Sequence, residues 1–75
     1  MEEKIFDAFR EAMENEDLDI NLSDKFRDYE DWDSLAYLSM IAALDEEFGV
    51  EIENEDFENL ETVEDLVNEV GARVK

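Results

Sequence analysis

Asp31-Trp32-Asp33-Ser34-Leu35 joins an acidic turn to the start of the longest predicted helix. An apolar segment with helical periodicity begins directly behind Asp33 and runs to about Phe48. Ser34 is therefore predicted in the first turn, where backbone N–H groups have no partner within the helix. A phosphate ester on its hydroxyl would lie where these N–H groups and the helix dipole favour negative charge. Asp33 or Ser34 can equally act as a simple helix cap, because both residue types are favoured there.

The composition is that of one small, acidic, folded domain spanning residues 1–75. The chain has 25 Asp and Glu against 6 Lys and Arg, for a net charge of −19. Its hydrophobic fraction of 44% and aromatic fraction of 11% are those of a chain that folds rather than stays disordered. A chain of this length buries a small core, so its net stability is expected to be only a few kcal/mol.

The charges are unevenly distributed along the chain. No basic residue lies between Asp28 and Ala72; nine of the 25 acids precede Asp28, so the remaining 16 lie in this span. Such a field repels nucleic acid and anionic membrane surfaces, and it attracts and steers basic protein surfaces. We therefore expect protein partners with basic patches and no nucleic-acid partner.

The sequence lacks most of the residue types and motifs on which enzymes rely for catalysis. The chain contains no cysteine and no histidine, which excludes disulfides, thiolate metal sites and the usual base for a serine nucleophile. A chain with two glycines has no glycine-rich phosphate loop. We predict that the protein is not an enzyme and has no catalytic residues and no metal site. No membrane span or signal peptide is visible in the sequence, so a cytoplasmic location is expected.

Hydrophobic periodicity predicts an all-α fold with three main helices and one short helix around a single core, and a long first loop. The first helix runs from residue 2 to about 14, and its apolar stripe comprises Ile5, Phe6, Phe9, Ala12 and Met13. From Asp17 to Trp32 there is no sustained period, although large apolar residues recur: Leu18, Ile20, Leu22, Phe26, Tyr29 and Trp32. We expect this segment to be a loop packed on the core, with a short turn after Ser23.

The second half of the chain contains clear start and stop signals. Gly49 suits a left-handed C-cap, and the residues after it are predicted to be extended, with Val50 and Ile52 pointing inward. Residues 54–58 are predicted to form a single helical turn, and Leu60 to cover the edge of the core. Thr62 is a favourable N-cap for the last helix, whose stripe comprises Val63, Leu66, Val67, Val70 and Val74.

The helix that begins at Ser34 has two apolar arcs. Tyr37, Met40, Ile41, Leu44 and Phe48 share one arc about 100° wide, which we predict to face the core. Leu35, Leu38 and Ala42 form the second arc, in which Asp45 is interposed. Because a carboxylate is costly to bury, this arc is predicted to face solvent or a partner. Burial of Leu35 and Leu38 as ordinary core residues stays open at this point.

Two other classes of function are compatible with parts of the sequence. Asp17-x-Asp19-x-Asn21 has the oxygen spacing that opens an EF-hand calcium loop. That loop needs glycine at its sixth position and glutamate at its twelfth, where this chain has Leu22 and Asp28. A calcium-binding protein is therefore an alternative, and an acidic mimic that blocks basic surfaces is another.

Several segments together resemble an acyl carrier protein. They are Asp33-Ser34-Leu35, the helix end Asp45-Glu46-Glu47-Phe48, Val50-Glu51-Ile52 after the glycine, and Thr62-Val63-Glu64-Asp65-Leu66. Their order and spacing are similar to those of the family over about residues 30 to 70, and the first helix is similar by pattern alone.

This resemblance implies a four-helix bundle whose motif Asp33-Ser34-Leu35 receives 4′-phosphopantetheine on Ser34 from coenzyme A. It also implies a phosphopantetheinyl transferase as partner, together with enzymes that load and accept acyl groups carried as thioesters. Leu35, Leu38, Asp45 and Glu46 are the expected partner surface, and we expect a monomer.

The sequence departs from fatty-acid carriers at two positions after the motif serine. Such carriers usually have acids two and five residues later, where this chain has Ala36 and Ser39. We expect both positions to be exposed and facing partners. The difference suggests a specialised pathway rather than general fatty acid synthesis.

Overall fold

The computed structural model describes residues 2–74 and contains the predicted helices. These are α1 (Glu2–Ala12), α2 (Ser34–Phe48), α3 (Asn54–Glu58) and α4 (Val63–Arg73), with a 3-10 turn at Phe26–Asp28 in the first loop. Within residues 2–74 there is no β-strand, and β-pairing is confined to an isolated bridge between Lys25 and Thr62. The prediction of an all-α fold with three long helices and one short helix is confirmed.

The ends of α2 form as the local sequence predicts. The Asp33 side chain caps the helix by accepting a hydrogen bond from the backbone N–H of Ala36 at 2.8 Å. At the other end Gly49 has φ of 65°, a conformation that strains residues with a Cβ, and its N–H donates to the carbonyl of Asp45 at 2.8 Å.

A reciprocal cap begins α4, as Thr62 predicts. The Thr62 hydroxyl accepts from the backbone N–H of Asp65, and the Asp65 carboxylate accepts from the N–H of Thr62, each at 3.1 Å. The bonds from the N–H groups of Thr62 and Glu61 lower the pKa of Asp65, because they favour its ionised form.

The core is built from all four helices and the loops between them. Its fully buried large side chains are Ile5, Phe9, Phe26, Met40, Leu44, Phe57, Val63, Leu66 and Val70. Val50 and Ile52 point inward with 2% and 5% exposure, and Leu60 covers the core edge with 8%, as predicted. Val74 was predicted to continue the α4 stripe, but it lies beyond the helix end and is 39% exposed.

The buried face of α2 differs from the predicted arc. Met40 and Leu44 are buried as expected, but Tyr37, Ile41 and Phe48 are only half-buried. Ala36, which we had expected on the exposed surface, is 1% exposed and belongs to the core. Relative to the predicted orientation, α2 is therefore rotated about its axis so that Ala36 faces the core. Periodicity alone does not determine which apolar arc packs on the core, because both arcs of α2 are apolar.

The long first loop is held by aromatic contacts. Phe26, in the 3-10 turn, contacts the rings of Phe9 in α1, Trp32 and Phe57 in α3, with centroid separations of 5.7, 5.0 and 5.6 Å. Trp32 also stacks on Phe57, with the two rings 2° from parallel and 6.2 Å apart. The prediction of a loop packed on the core is confirmed, and its last turn is fixed directly before α2.

A polar contact closes the same loop on itself. The Tyr29 hydroxyl donates to the Asp24 carboxylate at 2.8 Å, and that carboxylate also accepts from the backbone N–H of Asn21. Burial, and then the bond to the negative Asp24, raise the pKa of Tyr29, because both disfavour the ionised phenolate.

The burial of Ala36 makes a specific prediction about stability. Ala36→Asp should lower the free energy of unfolding by roughly 3 kcal/mol or more, because a carboxylate would enter the core without a partner. Ser39→Glu, at an exposed position of the same helix, should change it by less than about 0.5 kcal/mol. Denaturant unfolding of both variants compares them, and equal stabilities would contradict the burial of Ala36.

Candidate functional site

Ser34 is the first residue of α2, and its side chain is exposed. Asp33, not Ser34, supplies the cap, so the serine hydroxyl is not needed to satisfy the helix end. Within residues 2–74 the Ser34 hydroxyl takes part in no hydrogen bond. The structure therefore separates the capping role from the serine and leaves the hydroxyl free for chemistry.

The first turn of α2 is suited to an added negative charge. The side chain of Asp33 occupies the N–H of Ala36, and the N–H groups of Ser34 and Leu35 have no partner within the helix. The first turns of α1, α3 and α4 each contain acidic residues, whereas the first turn of α2 contains none. The Asp33 carboxylate caps this N-terminus from outside the first turn, and the N–H groups of Ser34 and Leu35 remain for a further anion.

A cleft of about 200 Å³ lies beside Ser34. It is lined by Arg27, Trp32, Asp33, Ser34, Tyr37, Asn54, Phe57 and Glu58. The last turn of the first loop forms one wall, the start of α2 another, and α3 the third. Of these lining residues, only Asp33 and Ser34 were predicted from the sequence as site residues. The one signal in the sequence was Arg27, the last base before the acidic span, set among aromatic residues.

Arg27 is fixed at the edge of this cleft. Its guanidinium donates to the carbonyl of Phe57 at 2.8 Å and also to the carbonyl of Leu60. It lies over the ring of Phe26, 4.8 Å from the centroid. These contacts tie the 3-10 turn to the end of α3, and they hold a positive charge on the wall that the first loop contributes to the cleft.

An apolar strip extends from Ser34 along the exposed side of α2. Leu35 is 73% exposed and Leu38 is 60% exposed, which resolves the question left open by the sequence: neither is a core residue. Ala42 is exposed in the same arc, and Asp45 and Glu46 are exposed at its far end. The predicted partner residues therefore share one exposed side of α2.

The structure gives no support to the calcium hypothesis. Within residues 2–74, no three acidic side chains come close enough together to hold a metal ion. In the Asp17–Asn21 segment, Ile20 is buried and the N–H of Asn21 is bonded to Asp24. Among the helices of residues 2–74, none has the length and apolarity needed to span a membrane.

Comparison with known proteins assigns the chain to a family. A family profile described as "Phosphopantetheine attachment site" matches residues 3–70. An acyl carrier protein of Petrotoga mobilis is 35% identical over 66 residues, covering 88% of this chain and 78% of that protein. An acyl carrier protein of Exiguobacterium sibiricum is 32% identical over 68 residues, covering 91% and 86%.

A solved structure shows the same fold. The solution structure of a holo acyl carrier protein from Geobacter metallireducens superposes with a TM-score of 0.82 over 96% of this chain and 83% of that one, at 19% sequence identity. The helical architecture is therefore shared well beyond recognisable sequence similarity.

The fold and the matched motif define a carrier rather than an enzyme. The chain belongs to the phosphopantetheine-binding family of acyl carrier proteins, as the resemblance in its sequence implies. Proteins of this family carry acyl groups on a covalent 4′-phosphopantetheine arm, and they interact with a phosphopantetheinyl transferase and with acyl-processing enzymes.

The residues at Ser34 fit such an arm. The exposed hydroxyl, the free N–H groups of the first turn and the absence of an acid from that turn suit a phosphodiester. When bound, the arm supplies the thiol that this cysteine-free chain lacks.

The cap at Asp33 can be tested separately from its charge. Asp33→Ala should lower the free energy of unfolding by about 1 kcal/mol, because the N–H of Ala36 loses its acceptor. Asp33→Asn removes the same charge but keeps a capping oxygen, so it should cost only a few tenths of a kcal/mol. Thermal or denaturant unfolding distinguishes the two, and equal losses would show that the charge matters rather than the cap.

Proposed function

We propose that Ser34 is the residue that carries the 4′-phosphopantetheine arm. The observation that carries this proposal is an exposed serine at the one helix N-terminus, among the four in residues 2–74, whose first turn contains no acid. Ser39 is also exposed on α2, but it lies more than one turn into the helix, where backbone N–H groups are already bonded.

In the attachment reaction this chain supplies only the nucleophilic hydroxyl and the helix N-terminus. The Ser34 oxygen attacks the phosphorus of coenzyme A that bears the pantetheine, forming a phosphodiester and breaking the diphosphate bond. Adenosine 3′,5′-bisphosphate leaves, and the hydroxyl proton passes to a base on the transferase. The chain itself presents the hydroxyl, and the helix N-terminus favours the charge of the product.

We also propose that partner enzymes dock on the exposed side of α2. Leu35 and Leu38 supply the apolar contact, and Asp45 and Glu46 supply negative charge beside it. Partners with basic patches would be steered to this surface by the field of the whole chain, which affects the association rate more than the final affinity. The chain acts as a monomer without a nucleic-acid partner in this proposal, and the cytoplasmic location expected from its sequence remains a prediction.

The proposal of a specialised pathway rests on the residues at positions 36 and 39, which differ from those usual in fatty-acid carriers. Ala36 is buried, so its side chain is not part of the exposed side of α2 on which partners would dock. Ser39 is exposed and is the one surface difference that remains from the comparison with fatty-acid carriers. We keep the proposal of a dedicated set of partners on that basis.

Arm transfer tests the assignment of Ser34 directly. Incubating the apo protein with coenzyme A and a broad-specificity transferase should add one phosphopantetheine, measured as intact mass. Ser34→Ala should abolish the addition, because no other serine or threonine lies in the first turn of α2. Ser39→Ala should leave the addition intact. Addition to Ser34→Ala, or none to the wild type, would overturn the assignment.

The docking surface can be tested by reversing one of its charges. Glu46→Lys should reduce kcat/KM of a partner acyltransferase by about tenfold at low salt, and by less at high salt, because screening weakens surface attraction. Glu64→Lys makes the same change on α4, in a groove with Phe6 and Leu22 rather than with Ser34, so it serves as the control. An equal loss in both variants would indicate an effect of net charge alone.

A further inference from the structure

We infer that a groove between α1, α4 and the first loop binds a short basic segment of a partner protein. The segment inserts apolar side chains between Phe6 and Leu22 and places lysines or arginines beside Glu2 and Glu64. This groove is separate from the exposed side of α2, and the inference does not depend on the attachment of an arm.

The groove has an apolar centre with room for a peptide. It measures about 500 Å³, and its walls are the N-terminal parts of α1 and α4 together with loop residues 20–23. Ile20 is nearly buried, with 7% exposure, whereas Phe6 and Leu22 are half-buried and leave part of their apolar surface uncovered. A cavity of about 150 Å³ holds a benzene-sized molecule, so the groove can take more than one side chain.

Backbone hydrogen bonds fix the shape of the groove. The N–H of Glu64 donates to the carbonyl of Leu22, and the N–H of Val63 donates to the carbonyl of Asp24, both at 2.9 Å. The Asp24 carboxylate also accepts from the N–H of Asn21 at 3.0 Å. These bonds tie the loop to the start of α4, so a ligand pays little conformational entropy to order its site.

The charge on the groove selects the kind of segment that it binds. Glu2 and Glu64 line it and are exposed, and no Lys or Arg of residues 2–74 lies in its lining. Lys4, in the same turn of α1 as Glu2, lines a different recess with Asp7 and Glu47. A fatty-acid carboxylate or an acidic peptide would be repelled here, whereas an apolar side chain flanked by lysine or arginine matches both the centre and the rim. An apolar centre with a polar rim is also the usual anatomy of a protein interface.

The groove lies away from the start of α2. The two long helices α1 and α2 are antiparallel, because the first half of α1 lies beside Glu47 near the end of α2, and Met13 lies beside Leu35 near its start. Phe6 belongs to the first half of α1, and no residue of α2 or α3 lines the groove. A short segment bound there therefore leaves Ser34 uncovered, so one protein can hold the carrier while enzymes use the side of α2.

Two synthetic peptides and the full chain test the inference. The first peptide has two leucines flanked by four lysines, and the second has serines in place of the leucines and hence the same charge. Calorimetric titration at about 150 mM salt, where long-range attraction is screened, compares their affinities. The leucine peptide should bind about tenfold more tightly, because it buries apolar surface in the groove. Equal affinities, or no binding of the leucine peptide, would overturn the inference.

Backbone amide chemical shifts locate the bound peptide. The leucine peptide should shift the amides of Phe6, Leu22 and Glu64, and it should shift those of Leu35 and Leu38 no more than the serine peptide does. Shifts centred on Leu35 and Leu38 would place the peptide on the exposed side of α2 and would overturn the inference.

Paired charge reversals separate the groove from the net charge of the chain. Glu2→Lys combined with Glu64→Lys should weaken binding of the leucine peptide about tenfold. Glu16→Lys combined with Asp17→Lys makes the same change in net charge at exposed positions outside the groove, and it should weaken binding less than about threefold. Equal losses in the two double variants would show that net charge alone attracts the peptide, and would overturn the inference.

Leu22→Ser tests the apolar contact by itself. It removes one wall of the groove and keeps the backbone carbonyl to which Glu64 donates. Affinity for the leucine peptide should fall about fivefold, and affinity for the serine peptide should not change. Equal losses for both peptides would overturn the inference. Thermal unfolding reports whether Leu22→Ser is folded, and if it is not, the charge variants at exposed positions decide the question.

Discussion

The contact of Phe26 with Phe9, Trp32 and Phe57 is the interaction on which the rest of the structure depends. The loop between α1 and α2 has no regular period, and ordering each of its residues costs roughly 1–2 kcal/mol of backbone entropy. Burial of the aromatic rings offsets this cost at one end of the loop, immediately before the Asp33 cap. The position of the exposed serine is thus set by packing beneath it rather than by the helix alone.

The three arginines of this acidic chain also hold loops and helix ends in place. Arg10 donates to the carbonyl of Leu18, Arg27 to those of Phe57 and Leu60, and Arg73 to that of Glu51. Each contact joins a segment to a loop or helix end that has free carbonyl groups. Arg10 and Arg73 also pair with the carboxylates of Asp7, Asp56 and Glu69. These few ion pairs leave the net charge of the chain at −19. The acidic field therefore stays available to steer partners, at the cost of self-repulsion.

Much of this architecture could be predicted from local signals. The bounds of α2, the glycine cap at Gly49 and the reciprocal cap at Thr62 follow from residue type and spacing, so they do not depend on long-range packing. The burial of Ala36 and the cleft could not be predicted in this way. Helical periodicity gives angles around an axis but not the partner of each face, and the walls of the cleft come from three segments that only the folded loop brings together.

A double-mutant cycle on Trp32 and Phe57 tests the central claim, that aromatic packing of the loop against α3 holds the region before Ser34. The free energy of unfolding is measured for the wild type, Trp32→Leu, Phe57→Leu and the double variant. The stacked rings predict a coupling of about 0.5–1.5 kcal/mol, so that the second substitution costs less once the first is made. Additive losses, with a coupling within about 0.3 kcal/mol of zero, would contradict the account.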